Sequence, residues 1–167
     1  MEFFHALPEY PDTLKGVTVM QRLLDGLGFR FYWATEGLRL EDYAFRPADD
    51  VMSIRELVEH IWGLVNWVNI SINGVSQQRP EEIESVRSRV LEMVCGLRSS
   101  VVTMSDDDLS KVTIGDRPLW NIINGPVSDA LTHVGQINSF RRLNGNPVPR
   151  ANVFLGRPPA TEPIDDK

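Results

Sequence analysis

Three side chains in this sequence have the types and spacing to bind a divalent metal together. His60 lies in a strongly apolar stretch over residues 54–68, and Asp129 and His133 lie in a second one over residues 126–140. Residues four positions apart share one face of a helix, so Asp129 and His133 can point to the same place. If His60 meets them across a helix–helix interface, two imidazoles and one carboxylate form a metal site.

This ligand set suits zinc, nickel or iron better than calcium or magnesium. Three protein ligands leave at least one coordination position open, which is the arrangement expected of a catalytic rather than a structural site. A metal held there would lower the pKa of a bound water toward about 7, or bind a thiol as its thiolate.

Each of the three residues also has an ordinary structural explanation. His60 lies among apolar residues, where a histidine is often a hydrogen-bonded part of the core. Asp129 falls in the first turn after Pro126, where the helix dipole favours a carboxylate without any metal. His133 can be hydrogen-bonded between helices. The D-x3-H spacing alone therefore leaves the metal site and these explanations open.

Four helical segments must position these residues. Apolar residues at alternating three- and four-residue steps predict the first over residues 13–40. A capping box at Ser53 and Glu56 opens the second, which is expected to end near residue 73. The third is expected to run from about Pro80 to the acidic residues 105–108.

The fourth helical segment contains a break. Residues 119–123 have a helical pattern, but Gly125-Pro126 must kink or restart the helix. The main helix is expected over residues 126–143 and is closed by a glycine at position 145.

The expected fold is all-α, an up-down four-helix bundle with a kinked or split last helix. Residues 1–12 are expected to form an irregular lead-in and residues 13–145 the bundle. Residues 146–167 contain five prolines, which predicts an extended and partly disordered C-terminal tail. A chain of 167 residues is expected to form one domain.

The second helical segment, up to residue 73, is apolar on nearly every side. A helix of this kind is usually buried on every side, whereas a four-helix bundle leaves one face of each helix in water. We therefore expect a homodimer in which a second subunit covers part of this helix.

Composition and charge exclude several classes of function. A net charge of −6 argues against a nucleic-acid partner, because phosphate binding needs a basic surface. No apolar run approaches the roughly 20 residues that cross a bilayer, and the N-terminal residues do not resemble a signal peptide. The single cysteine, Cys95, excludes an internal disulfide framework. We expect a cytoplasmic protein without a membrane partner.

Two segments of the sequence, SIRELVEHIW and DALTHVGQINSFRRLNGNP, together resemble the DinB/YfiT-like superfamily of four-helix bundles. The stretch from Trp33 to Pro47 also resembles the first helix and loop of that family, so the resemblance covers about residues 18–150. The matching positions in the two motifs are Ser53, Leu57, His60, His133, Gly135, Gln136, Arg141 and Arg142.

The resemblance implies a divalent metal bound by His60 and by an H-x3-H-x-G-Q-like motif. Asp129 stands where that motif has its first histidine, and thiol-dependent isomerases of the maleylpyruvate type are similar in having a carboxylate there. The implied ligands are therefore His60, Asp129 and His133. The departure weakens the case for any particular metal and leaves a metal-free member of the family possible.

The resemblance implies a metal-dependent transferase or hydrolase that activates a water or a low-molecular-weight thiol, similar to bacillithiol or mycothiol. The alternative is a non-catalytic dimeric bundle, acting as a stress-associated or small-molecule-binding protein. No motif identifies the substrate, and no general base stands out.

Four other residues are weaker candidates for function. Cys95 is expected to pack as a small hydrophobic residue. His5 is expected at the surface, unless the lead-in folds over the mouth of the bundle. Arg141 and Arg142 could contact an anionic substrate group, although the C-terminus of a helix attracts arginine in any case.

Overall fold

The computed structural model describes residues 3–160, which are mostly helical. The helices are α1 (Gly16–Thr35), α2 (Leu40–Tyr43), α3 (Ile54–Asn73), α4 (Ile83–Val102), α5 (Asp106–Ser110), α6 (Leu119–Ile122) and α7 (Ser128–Leu143). Between α5 and α6, β1 (Thr113–Ile114) and β2 (Arg117–Pro118) pair as a two-stranded antiparallel ladder. A π-helical turn, Ile123–Val127, joins α6 to α7.

The four long helices enclose the hydrophobic core. Helix α1 packs against α4 and α7, and α3 also packs against α4 and α7. One cluster of buried apolar residues lies between them. The prediction of a mostly helical fold with four long helices is therefore confirmed.

The first helix is shorter than predicted. It ends at Thr35 rather than near residue 40, and α2 follows as a separate element. Gly37 has a φ of 69°, a left-handed conformation that glycine adopts readily and that stops the helical path. Periodicity alone did not show this interruption, because Leu38 continues the apolar pattern.

The second predicted helix is confirmed at both ends. Ser53 caps α3: its Oγ accepts a hydrogen bond from the Glu56 backbone N–H, and its own backbone N–H donates to Glu56 Oε2. Gly74, with a φ of 68°, ends the helix. The exposed face of α3 carries two large apolar side chains, Trp67 and Ile70. Whether a second subunit covers them stays a prediction.

The third helix ends before the acidic run that was expected to terminate it. Helix α4 ends at Val102, and Ser105 instead opens α5. The Ser105 hydroxyl accepts from the Asp108 backbone N–H, and the Asp108 carboxylate accepts from the Ser105 N–H and hydroxyl. The acidic run therefore forms a capping box and the first turn of a new helix.

The predicted break in the fourth helix is confirmed. Gly125 lies inside the π-helical turn with a φ of −87° and a ψ of −107°, outside the helical region. Pro126 follows it and is buried. This turn separates α6 from α7 and sets the direction in which α7 begins.

The lead-in and the segment after α7 pack on the helices and on each other. Phe4 is fully buried, and a Cβ on Gly28 of α1 would overlap its ring. The Leu7 backbone N–H donates to the Gly156 carbonyl oxygen at 2.8 Å. Residues 152 and 157 form an isolated antiparallel bridge, so a turn is present where an extended tail was expected. Residues 161–167 of the predicted tail lie outside the described range.

No helix within residues 3–160 has the length and the apolar character needed to cross a bilayer.

A buried carboxylate joins α2 to the end of α7 and predicts a pH dependence of stability. Asp42 accepts hydrogen bonds from Arg39, Asn144 and Asn146, and the bonds from Arg39 hold its pKa well below the usual range. Since the pKa is lower in the folded state, this stabilisation is fully present above the unfolded pKa of about 4 and is lost progressively as the pH falls from there toward the lower pKa of the folded state.

We expect Asp42→Asn to be less stable than the wild type at neutral pH and to lose less stability on acidification. The measurement is the free energy of unfolding by urea between about pH 6 and pH 3. Asp116→Asn, in the exposed turn between β1 and β2, is the control that removes the same charge. Identical pH slopes in the wild type and Asp42→Asn would contradict the role of this carboxylate.

Candidate metal centre

The structure brings together the three residues that the sequence predicted as metal ligands. His60 lies on α3, Asp129 lies in the first turn of α7, and His133 lies one turn later. His60 Nε2 is 3.4 Å from Asp129 Oδ2, and His133 Nε2 is 3.4 Å from Asp129 Oδ1. One ligand atom from each residue can be chosen so that all three lie within 4.8 Å of one another.

The core-facing residues of the two helices explain this meeting. Leu57, Ile61 and Leu64 are buried on α3, and His60 stands beside them at the edge of the interface. Ala130 and Val134 are buried on α7, next to Asp129 and His133 in sequence. Packing α3 against α7 therefore places the three polar residues along one edge of the interface.

The His–Asp separations are compatible with a long hydrogen bond and with two ligands of one metal. Bonds of about 2.0–2.1 Å to a tetrahedral zinc place neighbouring ligand atoms about 3.3–3.4 Å apart. Both His–Asp separations are 3.4 Å, whereas hydrogen bonds between such groups prefer roughly 2.7–3.2 Å. Each imidazole faces a different oxygen of Asp129, and the three residues form a group of donors that could hold a divalent cation.

Gln136 orients one of the two imidazoles. Its amide oxygen is 2.7 Å from His133 Nδ1. An amide oxygen only accepts, so Nδ1 donates in this contact, and in the neutral imidazole the lone pair is then on Nε2, the nitrogen near Asp129. Such outer contacts fix the tautomer and the direction of a ligating histidine. The His60 and His133 rings meet edge to face, with centroids 4.7 Å apart.

We expect Gln136→Ala to weaken metal affinity by about 10- to 100-fold without removing a ligand, because His133 loses the contact that fixes its tautomer. Competition against a fluorescent zinc chelator measures the affinity. Ser139→Ala, one turn further along α7 and exposed, is the control. Equal affinities for the wild type and Gln136→Ala would exclude this orienting role.

One side of the cluster is open. His133 is mostly buried, with 14% of its side chain exposed, whereas 47% of the Asp129 side chain is exposed. A small molecule can therefore approach from the side of Asp129. Solvent access on that side also leaves room for water or a small molecule at a coordination position that no protein side chain fills.

A cavity of about 340 Å³ lies beside Asp129 on this open side. Its polar lining includes Arg117 from β2, Asn121 from α6 and Asn124 from the π-helical turn, and Trp67 of α3 supplies an apolar wall. The volume lies within the usual range of small-molecule sites, roughly 300–1,000 Å³. Among the described residues, Arg117 has no side-chain hydrogen bond or ion pair, and it is exposed to solvent.

No sequence pattern predicted that Arg117, Asn121 and Asn124 would lie beside the metal centre. The i, i+3 spacing of the two asparagines just before Gly125-Pro126 was the available signal, since it places both amides on one side of a helical turn. Arg117 lies in a two-residue strand, which is too short to predict from the sequence. Its position beside the cavity is therefore seen only in the folded structure.

The weaker candidates lie elsewhere. The ring of His5 packs against those of Tyr32 and Trp33 on α1. Cys95 is half-buried and packs against the hydrophobic core, as expected. Glu59, the carboxylate next to His60 in sequence, pairs with Arg55 at 3.1 Å and Arg79 at 2.8 Å, which leaves it poorly placed to act as a general base.

Arg141 and Arg142 have different surroundings despite being adjacent. The Arg141 side chain is buried and donates to backbone carbonyl oxygens at the end of α1, including those of Ala34 at 2.9 Å and Glu36 at 2.7 Å. Arg142 is exposed. Arg141 therefore holds the fold together and is not free to bind an anionic substrate.

Comparisons with protein-family models, with curated proteins and with solved structures found no match to this chain.

Proposed function

We propose that this chain is a divalent-metal-dependent transferase or hydrolase whose metal is held by His60, Asp129 and His133. The observation that carries the proposal is the pair of 3.4 Å separations between the Asp129 oxygens and the two imidazole Nε2 atoms. The orientation of His133 by Gln136 and the cavity beside Asp129 support it. An up-down four-helix bundle of the DinB/YfiT-like type is the finer fold that we propose with it.

Zinc, nickel and iron are the metals that we propose. Two neutral imidazoles and one carboxylate are borderline ligands, which these metals prefer, whereas calcium and magnesium prefer oxygen alone. A metal with one open position supplies an activated water or thiolate at neutral pH.

The residues around the cavity would bind and orient the substrate. Arg117 would hold an anionic group of the substrate, and Asn121 and Asn124 would hydrogen-bond its polar atoms. Trp67 would pack against its apolar part. Gln136 would keep the proton on Nδ1 of His133, so that Nε2 stays available.

A low-molecular-weight thiol of the bacillithiol or mycothiol kind is the co-substrate that we propose. His60, Asp129 and His133 would hold the metal, which would lower the pKa of the thiol and favour its thiolate form. Glu59 is engaged by Arg55 and Arg79, so it is not assigned the role of base for the thiol proton. The transfer would form a carbon–sulfur bond as a leaving group departs from the electrophilic carbon.

The second candidate function is a non-catalytic homodimeric bundle, acting as a stress-associated or small-molecule-binding protein. Exposed Trp67 and Ile70 on α3 favour this alternative, because a second copy would bury both side chains. Sedimentation of the wild type and of Ile70→Glu tests the dimer. A monomer mass for the wild type at micromolar concentration would contradict it.

Thiol transfer to chlorodinitrobenzene and hydrolysis of nitrophenyl esters distinguish the two functions. The enzyme predicts a rate that requires added metal and disappears in His133→Ala. A protein that binds metal but shows no metal-dependent rate with either substrate class would favour the binding protein. A protein that binds no metal would contradict the proposed enzyme.

A further inference from the structure

A second cavity lies on the opposite side of α7 from the metal centre. Its volume is about 500 Å³, it is open to solvent on one side, and residues of α1, α7 and the following segment, 148–153, line it. The α7 residues that line it lie at intervals of three or four, along a different face from Asp129 and His133. None of the three metal-ligand candidates lines this cavity.

Three arginines line the second cavity and no acidic residue does. Arg30 comes from α1, Arg142 from the last turn of α7, and Arg150 from the following segment. None of the three has an ion pair or a side-chain hydrogen bond with any residue in the range 3–160. The sequence has 23 acidic and 17 basic residues other than histidine, so three arginines without acidic partners around one cavity are not explained by an excess of basic residues.

All three arginine residues are exposed, so water and salt screen the repulsion between their charges. An anion bound at the cavity gains hydrogen bonds to charged donors, which are stronger than those between neutral groups. A single carboxylate would neutralise only one of the three charges. The arrangement therefore fits a group that carries more than one negative charge.

The remainder of the lining is suited to an organic ligand. Trp33, Leu131 and Val134 contribute apolar surface. Asn138 also lines the cavity, and its Oδ1 is buried without a hydrogen bond partner in the described part of the chain. Free inorganic phosphate would use the arginines and leave this apolar surface in water.

We propose that this cavity binds a small molecule with a multiply charged oxyanion, of the phosphate-ester kind, attached to an apolar body. Arg30, Arg142 and Arg150 hold the oxyanion, since a guanidinium donates two parallel hydrogen bonds to a phosphate. The apolar body packs against Trp33 and Leu131. The site is separate from the proposed metal centre and does not depend on it.

Phenyl phosphate is the probe for this site, with inorganic phosphate, citrate and benzyl alcohol as comparisons. Isothermal titration is carried out on the full chain, with and without EDTA, so that a phosphate bound to metal is recognised by its sensitivity to the chelator. The expected result is EDTA-resistant binding of phenyl phosphate that is tighter than that of inorganic phosphate. Benzyl alcohol, which lacks the charge, is expected not to bind. Citrate binding more tightly than phenyl phosphate would overturn the assignment to a phosphate ester.

Arg30→Gln and Arg142→Gln are each expected to raise the Kd of phenyl phosphate at least about tenfold, the loss expected for a charge-assisted hydrogen bond. Arg89→Gln, at an exposed position on α4, changes the net charge equally and serves as the control. An unchanged Kd in both cavity variants would overturn the proposal, as would an equal loss in the control.

A measurement on the wild type alone tests the site even if the arginine variants fold poorly. Amide chemical shifts in ¹⁵N spectra are expected to move at Gly135, Asn138 and Ala151 when phenyl phosphate is added, because these residues line the cavity. Shifts confined to other surfaces, or no shifts at millimolar ligand, would overturn the site.

Discussion

His133→Ala is expected to release the bound metal while the helical circular-dichroism signal stays largely intact. The substitution removes one of three ligands, and even the loss of an outer hydrogen-bond partner costs about 10- to 100-fold in metal affinity. We therefore expect affinity to fall by more than about 100-fold. His133 lies at the edge of the interface beside buried Ala130 and Val134, so alanine leaves the core contacts of α7 in place.

Thr132→Ala is the matched control for His133→Ala, because Thr132 is the neighbouring exposed residue on the same helix. Its metal content is expected to equal that of the wild type. Both variants are analysed by native mass spectrometry after incubation with zinc. Unchanged metal content in His133→Ala would mean that the ligands lie elsewhere in the chain.

Arg141→Met is expected to lower the free energy of unfolding by about 3 kcal/mol or more. The guanidinium is buried and donates to the backbone carbonyl oxygens of Ala34, Glu36 and Asn146 at 2.7–2.9 Å. Each buried acceptor left without a donor costs about 1–3 kcal/mol. Methionine fills similar volume, so the expected loss comes from the carbonyl groups rather than from a large void.

Arg142→Met provides the comparison, because it changes the same residue type one position away on the exposed surface. Its expected effect is within about 0.5–1 kcal/mol, which includes the lost interaction with the helix dipole. Urea unfolding followed by circular dichroism measures both variants. We expect the midpoint of Arg141→Met to fall by more than about 1 M. Equal midpoints for the two variants would contradict the structural role of Arg141.

The parts of the fold that local patterns control were predictable from the sequence. The capping box at Ser53 and the break at Gly125-Pro126 depend on residues within one or two turns of each other, and both are present. The shared face of Asp129 and His133 also follows from local spacing. That His60 would lie opposite them was a hypothesis from the sequence, and the packing of α3 on α7 brings the three together.

Contacts between distant segments were not predictable in the same way. Arg141 reaches carbonyl groups more than 100 positions away, and nothing in its local sequence distinguishes it from Arg142. The Phe4 ring of the lead-in fills the space above Gly28 of α1. Arg117 faces the cavity beside Asp129 because the short strands fold back there. Each of these depends on which loops meet, and periodicity carries no information about that.

The metal content of the untagged wild-type protein, measured by native mass spectrometry before and after incubation with zinc, nickel, iron and manganese, tests the central claim most directly. A site with three protein ligands predicts about one metal ion per chain with at least one of these metals. Protein that stays metal-free under every condition would contradict the account. It would leave His60, Asp129 and His133 as interacting polar residues at the edge of a helix interface.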